Sequence, residues 1–192
     1  MTLVALLRGI NVGGKNKINM QDLKRAFAQA GLENVSTYIN SGNILFQHQG
    51  DDEPAGPATA DPRYRGLATR LESVIRSEFG LEVPVVLRDV EQYRLVVDAL
   101  PETWSNDANT KSDVMFLWSD IDTPDVLEKL PVKPDIDTVH YVPGAVLWSV
   151  PKAVLTRSGL MKLAGTSLYK RMTVRNVNTT RKIWELMQDM VD

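Results

Sequence analysis

The pattern of apolar and polar residues in the first half of the chain predicts alternating strands and helices. Residues 2–7 form a short, continuous apolar run that ends at Arg8 and Gly9, which is typical of a buried strand. A helix is expected from about Met20, with Asn19 as its N-cap and Gly31 as its stop. The pattern further predicts strands at 35–39 and 44–47, a helix at 64–79 and a strand at 83–87. The resulting order of elements is βαββαβ.

The same order recurs in the second half of the chain. A helix at 90–100 and an irregular connection at 101–111 lead to a strand at 114–118, a helix at 124–130, and strands at 136–142 and 145–150. A helix at 158–164, a short strand at 172–174 and a final helix from about Thr179 follow. The fold class predicted from this pattern is α+β, with two tandem ferredoxin-like modules that have antiparallel sheets, plus a C-terminal helix. The predicted domains are an N-terminal module at 1–88, a connecting helix and loop at 89–111, and a C-terminal module at 112–192.

Two predictions concern packing and order. Phe27, Leu71 and Trp184 lie on apolar helical stripes and are expected in the cores of the modules. Residues 48–63 are rich in Pro, Gly, Ala and Asp without apolar periodicity, so we expect a mobile loop there.

Composition narrows the class of protein. The chain has 192 residues, 43% of them hydrophobic, and no cysteine, so disulfides and thiolate metal sites are absent. The first apolar run is too short for a signal peptide or a membrane span. His48 and His140 do not lie at a metal-ligand spacing. We therefore expect a cytoplasmic protein that has no metal site, no cofactor and no membrane partner.

Charge is distributed unevenly along the chain. The net charge of −2 combines a basic start at 1–47, a strongly acidic middle at 48–137 and a basic end at 138–192. Between His140 and Trp184 there are eight Lys or Arg residues and no Asp or Glu. A local positive field for an anionic partner is one interpretation, and neutralisation of the ends by the acidic middle is the other.

The loop after the first strand, "RGINVGGKNK", lies where many proteins bind phosphate. Gly9 to Lys15 fits the pattern GxxxxGK, but Asn16 stands where a nucleotide-hydrolysing loop needs a Ser or Thr hydroxyl for Mg²⁺. The alternative is a nest of backbone N–H groups that binds an anion without Mg²⁺. In a βαββαβ module this loop meets the "NSGN" turn, so the first set of candidate ligand-binding residues is Arg8, Asn11, Gly13, Gly14, Lys15, Asn16, Ser41 and Asn43.

A second polar motif, "TVRNVNTT", precedes the last helix. Asn178 is expected to be the N-cap, which would place free N–H groups and the positive helix dipole end beside Arg175. The loop after the strand at 145–150 should reach the same end of the sheet. The second set of candidate ligand-binding residues is Lys152, Arg157, Ser158, Arg175, Asn176, Asn178 and Thr179.

Three segments in order, "RGINVGGKNK", "TYINSGN" and "TVRNVNT", resemble the hallmark segments of the bacterial proteins grouped as domain of unknown function 1697 (DUF1697). The resemblance spans essentially the whole chain, although Val177 stands where that family usually places an aromatic residue. It implies an α+β fold with ferredoxin-like parts and no established activity. The resemblance implies that the family's recurrent polar residues correspond to every member of the first set, together with Gly42, Arg175, Asn176, Asn178 and Thr179.

Three functions are compatible with these residues. The leading hypothesis is a protein that binds an anionic small molecule or nucleotide, because Asn, Ser, Arg and backbone N–H groups orient phosphate or carboxylate. An enzyme that acts on a phosphorylated or nucleotide substrate, with Lys15 and Arg175 as electrostatic catalysts, is an alternative, but no base accompanies them. An RNA-binding or protein-interaction scaffold is the other alternative. The catalytic residues, the ligand and the oligomeric state stay open.

Overall fold

The computed structural model describes residues 1–50 and 63–191 of the chain. The fold is α+β, with two four-stranded antiparallel sheets and helices. The chain divides into unit 1, made of Met1–Glu91 and Glu185–Asp192, and unit 2, made of Gln92–Trp184. The segment predicted to be a mobile loop lies, apart from residues 48–50 and 63, outside the described residues. Within the described ranges, no helix combines the length and apolar character needed to cross a bilayer.

Unit 1 contains one sheet and two long helices. Its strands lie in the order β2-β3-β1-β4, and every neighbouring pair is antiparallel. Because β1 pairs with both β3 and β4, the loop after β1 and the turn before β3 lie at the same end of the sheet. The elements are β1 (Thr2–Leu7), α1 (Met20–Gln29), β2 (Glu33–Tyr38), β3 (Asn43–Gln47), α2 (Arg65–Phe79) and β4 (Val85–Asp89).

One face of this sheet packs against α1 and α2. Leu3 and Leu7 of β1 join Phe27 of α1 and Leu71 of α2 in a single core, and all four side chains are fully buried. The predicted core positions of Phe27 and Leu71 are therefore confirmed. The predicted N-cap is also confirmed, since the side chain of Asn19 accepts hydrogen bonds from the N–H groups of the first turn of α1.

Unit 2 repeats the strand order of unit 1, with β6-β7-β5-β8 again antiparallel throughout. On one face, the rings of Tyr93 and Phe116 stack with their centroids 5.4 Å apart, and both side chains are fully buried. The elements are α3 (Val90–Asp98), which begins at the end of unit 1, β5 (Thr110–Leu117), β6 (Thr138–Val142), β7 (Ala145–Pro151), α4 (Leu160–Leu163), β8 (Met172–Asn176) and α5 (Val177–Asp189).

Three predicted helices of the second half differ from the structure. Pro124–Lys129 is a 3-10 helix and not an α-helix. It ends before Leu130, which is extended because Pro131 disfavours the α conformation there. The helix predicted at 158–164 is reduced to one turn, α4, and the 3-10 helix Lys152–Arg157 precedes it. The last helix begins at Val177, two residues earlier than predicted. Trp184 on this helix is half-buried.

Gly42 allows the hairpin turn of unit 1 to approach β1 closely. Its φ is +81°, and a Cβ atom at this position would lie 2.7 Å from Cβ of Leu7 and 2.9 Å from Cδ1 of Ile10. Gly31 has a similar φ of +88°, but a Cβ atom there would meet nothing within 4 Å. The two glycines therefore share the conformational requirement and differ in the space around them.

We predict that Gly42→Ala lowers the free energy of unfolding more than Gly31→Ala does. Both substitutions force alanine into the left-handed region, at a cost of roughly 1 to 2 kcal/mol, and overpacking against Leu7 adds roughly 1 to 3 kcal/mol for Gly42→Ala alone. Urea denaturation followed by circular dichroism measures both costs. Equal costs for the two variants would show that the hairpin turn does not press on β1.

Candidate ligand-binding site

The loop after β1 is a small closed hairpin. The N–H of Asn11 donates to the carbonyl of Asn16 at 3.1 Å, and the N–H of Lys15 donates to the carbonyl of Val12 at 3.1 Å. Gly13 and Gly14, at φ of 59° and 77°, form the tip of this hairpin. Two central residues with positive φ are the mark of a type I′ turn, which glycine adopts without strain.

This geometry limits which backbone N–H groups the predicted anion nest can offer, and the nest stays a prediction. The N–H of Lys15 is not available to a ligand, because it closes the turn. Gly13 and Gly14 share the same sign of φ, as a type I′ turn requires. The glycines therefore serve the hairpin tip, where Gly13, Gly14 and Lys15 are exposed.

Asn11 ties this hairpin to the rest of unit 1. Its Oδ1 accepts the N–H of Ile18 at 2.9 Å, and its Nδ2 donates to the carbonyl of Ile18 at 3.0 Å. The same Nδ2 donates to the carbonyl of Asn40, in the turn between β2 and β3, at 2.9 Å. Asn11 itself has a φ of +53°, which Asn tolerates better than most residues. The predicted meeting of the loop with the hairpin turn is thus confirmed.

The other predicted polar residues of unit 1 contact the backbone of these loops. Asn43 is fully buried, and its Nδ2 donates to the carbonyl of Tyr38 at 3.0 Å and to Oγ of Ser41 at 3.1 Å. Nδ2 of Asn16 donates to the carbonyl of Gly9 at 3.0 Å. Arg8 is half-buried, and its backbone N–H donates to the carbonyl of Pro84. These contacts fix the shape of the loop end of the sheet.

A cleft of about 590 Å³ lies between this loop and the start of α1. Of the residues predicted from the sequence, only Asn11 and Gly14 line it. Lys17 is the sole charged residue among the described lining residues, and none of them is a carboxylate. The described lining of the cleft consists of Asn11, Gly14, Lys17, Ile18, Asn19, Met20, Gln21 and Asn40.

The predicted set missed most of this lining. Lys17, Gln21 and Asn40 lie close in sequence to predicted ligand-binding residues, but none of the three belongs to the predicted set. The pattern GxxxxGK favours Lys15 as the phosphate-binding lysine instead. The signal that could have found Lys17 is its position two residues before the N-cap of α1. A cation there lies beside the start of a helix, where a bound anion is favoured.

In unit 2, the predicted ligand Arg175 lies inside the fold. Its side chain is only 6% exposed, and its Nη1 donates to Oγ1 of Thr173 at 3.0 Å and to the carbonyl of Val174 at 2.8 Å. Burial lowers the pKa of Arg175 to about 10, which still leaves the guanidinium charged at neutral pH. The Arg175 side chain is thus engaged by its own strand.

The residues after Arg175 shape the start of α5. Asn176, and not Asn178 as predicted, supplies the cap, because its Oδ1 accepts the N–H of Thr179 at 2.8 Å. Asn178 lies within the helix, and its side chain exchanges two hydrogen bonds with the backbone of Asn106 at 3.0 and 3.2 Å. Thr179 is buried. The predicted N-cap was wrong because the helix begins two residues earlier.

The three remaining candidates of unit 2 are Lys152, Arg157 and Ser158, on and just after the 3-10 helix Lys152–Arg157. Nζ of Lys152 donates to the carbonyl of Asp107, in the loop before β5. Ser158 is buried and donates through Oγ to Asp137, just before the edge strand β6. Arg157 is exposed, and its side chain has no hydrogen bond to any residue that the structure describes. Lys152 and Asn178 therefore contact consecutive residues of the loop before β5, Asp107 and Asn106, whereas Ser158 contacts a different segment.

Asp137 is a polar anchor in unit 2. Burial raises the pKa of its carboxyl, but hydrogen bonds from Ser158 and from the N–H groups of Lys133 and Gly159 outweigh burial, so the net shift is downward. The two N–H donors lie 2.8 and 2.9 Å from Oδ2. Within the described ranges, including the surroundings of Asp137, no group of three or more His, Asp or Glu side chains is arranged to hold a metal ion.

We predict that Asn11→Ala lowers the free energy of unfolding by roughly 1 to 3 kcal/mol, because it leaves the buried N–H and carbonyl of Ile18 without partners. Asn16→Ala is the matched control, since Asn16 has a similar φ of +48° but makes one exposed side-chain hydrogen bond. The strain of alanine at positive φ is then common to both variants. Equal losses in urea denaturation would contradict the role given to Asn11.

We predict that Asp137→Asn destabilises unit 2 at pH 7 and that this difference shrinks in acid. A carboxyl with a lowered folded pKa stabilises the fold above its unfolded pKa of about 3.9, and this contribution disappears as the pH falls through the folded value. Denaturation at pH 7 and near pH 2.5 measures the difference, with exposed Asp135→Asn as the control. A difference that stays constant between the two pH values would contradict the assignment.

Comparison with known proteins agrees with the fold. The family model described as "Protein of unknown function (DUF1697)" matches residues 1–148. The motif at 173–180 therefore lies beyond the matched residues, although the resemblance seen in the sequence included it. The solved structure of a conserved bacterial protein, SP0830 from Streptococcus pneumoniae, is similar with a TM-score of 0.76 and 27% identity, over 97% of this chain and 98% of that one. No curated protein matches the chain.

Proposed function

The chain belongs to the DUF1697 family, and we propose that it binds a small anionic ligand in the cleft between its glycine hairpin and α1. The observation that carries the proposal is the lining of this cleft, in which Lys17 is the one charged residue described and carboxylates are absent from the described lining. A phosphate or carboxylate group of the ligand meets an attractive charge there and no repulsive one.

The start of α1 adds to this preference. A helix N-terminus carries a partial positive charge, and α1 points this end at the cleft through Asn19, Met20 and Gln21. The side chain of Asn19 already accepts hydrogen bonds from the N–H groups of Gln21 and Asp22. A ligand is therefore attracted by the helix dipole more than by direct hydrogen bonds to these N–H groups. Lys17 therefore supplies the main charged contact.

The proposal rests on unit 1. Ligand binding by the motif around Arg175 stays a prediction, and the internal hydrogen bonds of Arg175, Asn176 and Asn178 favour a structural role. Binding is preferred to catalysis because the described lining contains no carboxylate or histidine that could act as a base. A cytoplasmic location belongs to the same proposal and rests on the lack of cysteine.

We further propose that the units are two tandem ferredoxin-like modules. In support, unit 1 has the element order βαββαβ and the strand order β2-β3-β1-β4, and unit 2 has the equivalent strand order. Unit 2 departs from the pattern where the 3-10 helix Pro124–Lys129 stands between β5 and β6 in place of an α-helix.

We predict that Lys17→Ala weakens the binding of inorganic phosphate and ribose 5-phosphate by roughly 13- to 160-fold, which corresponds to the range of about 1.5 to 3 kcal/mol for a hydrogen bond to a charged group. Lys15→Ala should have a smaller effect, because Lys15 lies at the exposed tip and does not line the cleft. Lys24→Ala, on the exposed surface of α1, is the control for net charge.

Isothermal titration calorimetry at low ionic strength measures the affinities of all four proteins. Equal weakening by the three substitutions would indicate a diffuse effect of charge and would contradict a site at Lys17. Unchanged binding by Lys17→Ala would contradict it as well.

A further inference from the structure

The size of the cleft indicates that its ligand has an organic body attached to the anionic group. A volume of about 590 Å³ falls within the range of sites for small organic ligands and far exceeds the space that one phosphate group occupies. Lys17 is the single described cation of the lining, so one anionic group is matched there and the rest of the cleft has to accommodate the neutral part.

The neutral part faces carboxamide groups. Asn19, Gln21 and Asn40 line the cleft, and all three are exposed. Among the described residues, the side chains of Gln21 and Asn40 have no hydrogen-bond partner, and Asn19 uses only its Oδ1. A carboxamide offers two N–H donors and an acceptor oxygen, which matches hydroxyl groups that both donate and accept. Asn11 differs, because its hydrogen bonds within unit 1 already occupy it.

Two ligand classes fit the same lining poorly. No aromatic side chain is present among the described lining residues, so a nucleobase would find no surface on which to stack. A nucleoside triphosphate brings several negative charges and a Mg²⁺ ion, which is usually held with the help of carboxylates. The described lining offers a single cation and no carboxylate.

We propose that the cleft of unit 1 binds a sugar phosphate, with the phosphate at Lys17 and the hydroxyl groups at the carboxamides of Gln21 and Asn40. This inference rests on the proposed function, because it assigns a ligand class to the same cleft. Asn40 then has two separate tasks. Its backbone carbonyl accepts the hydrogen bond of Asn11, and its side chain faces the ligand.

Calorimetric titration with ribose 5-phosphate, ribose, inorganic phosphate, AMP and Mg²⁺-ATP tests the assignment. We expect ribose 5-phosphate to bind at least tenfold more tightly than inorganic phosphate and than Mg²⁺-ATP, no more weakly than AMP, and ribose to bind too weakly to measure. The double variant Gln21→Ala/Asn40→Ala should bind ribose 5-phosphate about tenfold more weakly and inorganic phosphate within twofold of wild type. Its backbone contacts stay intact, and thermal denaturation checks its fold.

The outcomes separate this inference from the proposed function. Equal affinities for ribose 5-phosphate and inorganic phosphate, both dependent on Lys17, would overturn the sugar phosphate and leave an anion site. Tighter binding of AMP or of Mg²⁺-ATP than of ribose 5-phosphate would also overturn it, in favour of a nucleotide. Failure of wild type to bind any of the phosphorylated probes would overturn both proposals.

Discussion

The carboxamide of Asn11 is the contact on which the loop end of unit 1 depends. It binds backbone groups that a strand or helix would otherwise pair. Its partners are the N–H and the carbonyl of Ile18 and the carbonyl of Asn40. Its donors and its acceptor are used together, which only an uncharged amide allows at one position. Through this side chain, the loop that carries Gly14 and Lys17 is linked to the turn between β2 and β3. The cleft is therefore lined by segments that Asn11 holds together.

The arrangement explains why so many polar side chains of this loop bind backbone groups. Each change of chain direction leaves backbone groups that a strand or helix would have paired, and in this loop amide side chains bind them. Asn16 and Asn43 do this for the carbonyls of Gly9 and Tyr38. Lys17, Gln21 and Asn40 also line the cleft, but their side chains bind no backbone group among the described residues.

The sequence predicts the fold of unit 1 well, because its apolar periodicity is strong and its helix boundaries carry clear capping residues such as Asn19 and Gly80. It also predicts which loops meet. The short helical segments of unit 2 are harder, since 3-10 turns next to Pro124 and Pro131 have the same apolar spacing as an α-helix. The sequence does not show which polar side chains are internal. Burial of Arg175, and the shift of the α5 cap to Asn176, depend on contacts that spacing alone does not reveal.

The most direct measurement is a titration of ¹⁵N-labelled protein with ribose 5-phosphate, followed by the backbone and side-chain amide signals. We predict that the amide signals of Gly14, Lys17, Gln21 and the side chain of Asn40 shift most. The signals of Arg175 and Asn178 should not shift. In Asn11→Ala these changes should weaken strongly, because the cleft loses its support. Changes centred on Arg175 and Asn178, or changes at Lys17 that persist unaltered in Asn11→Ala, would contradict the account.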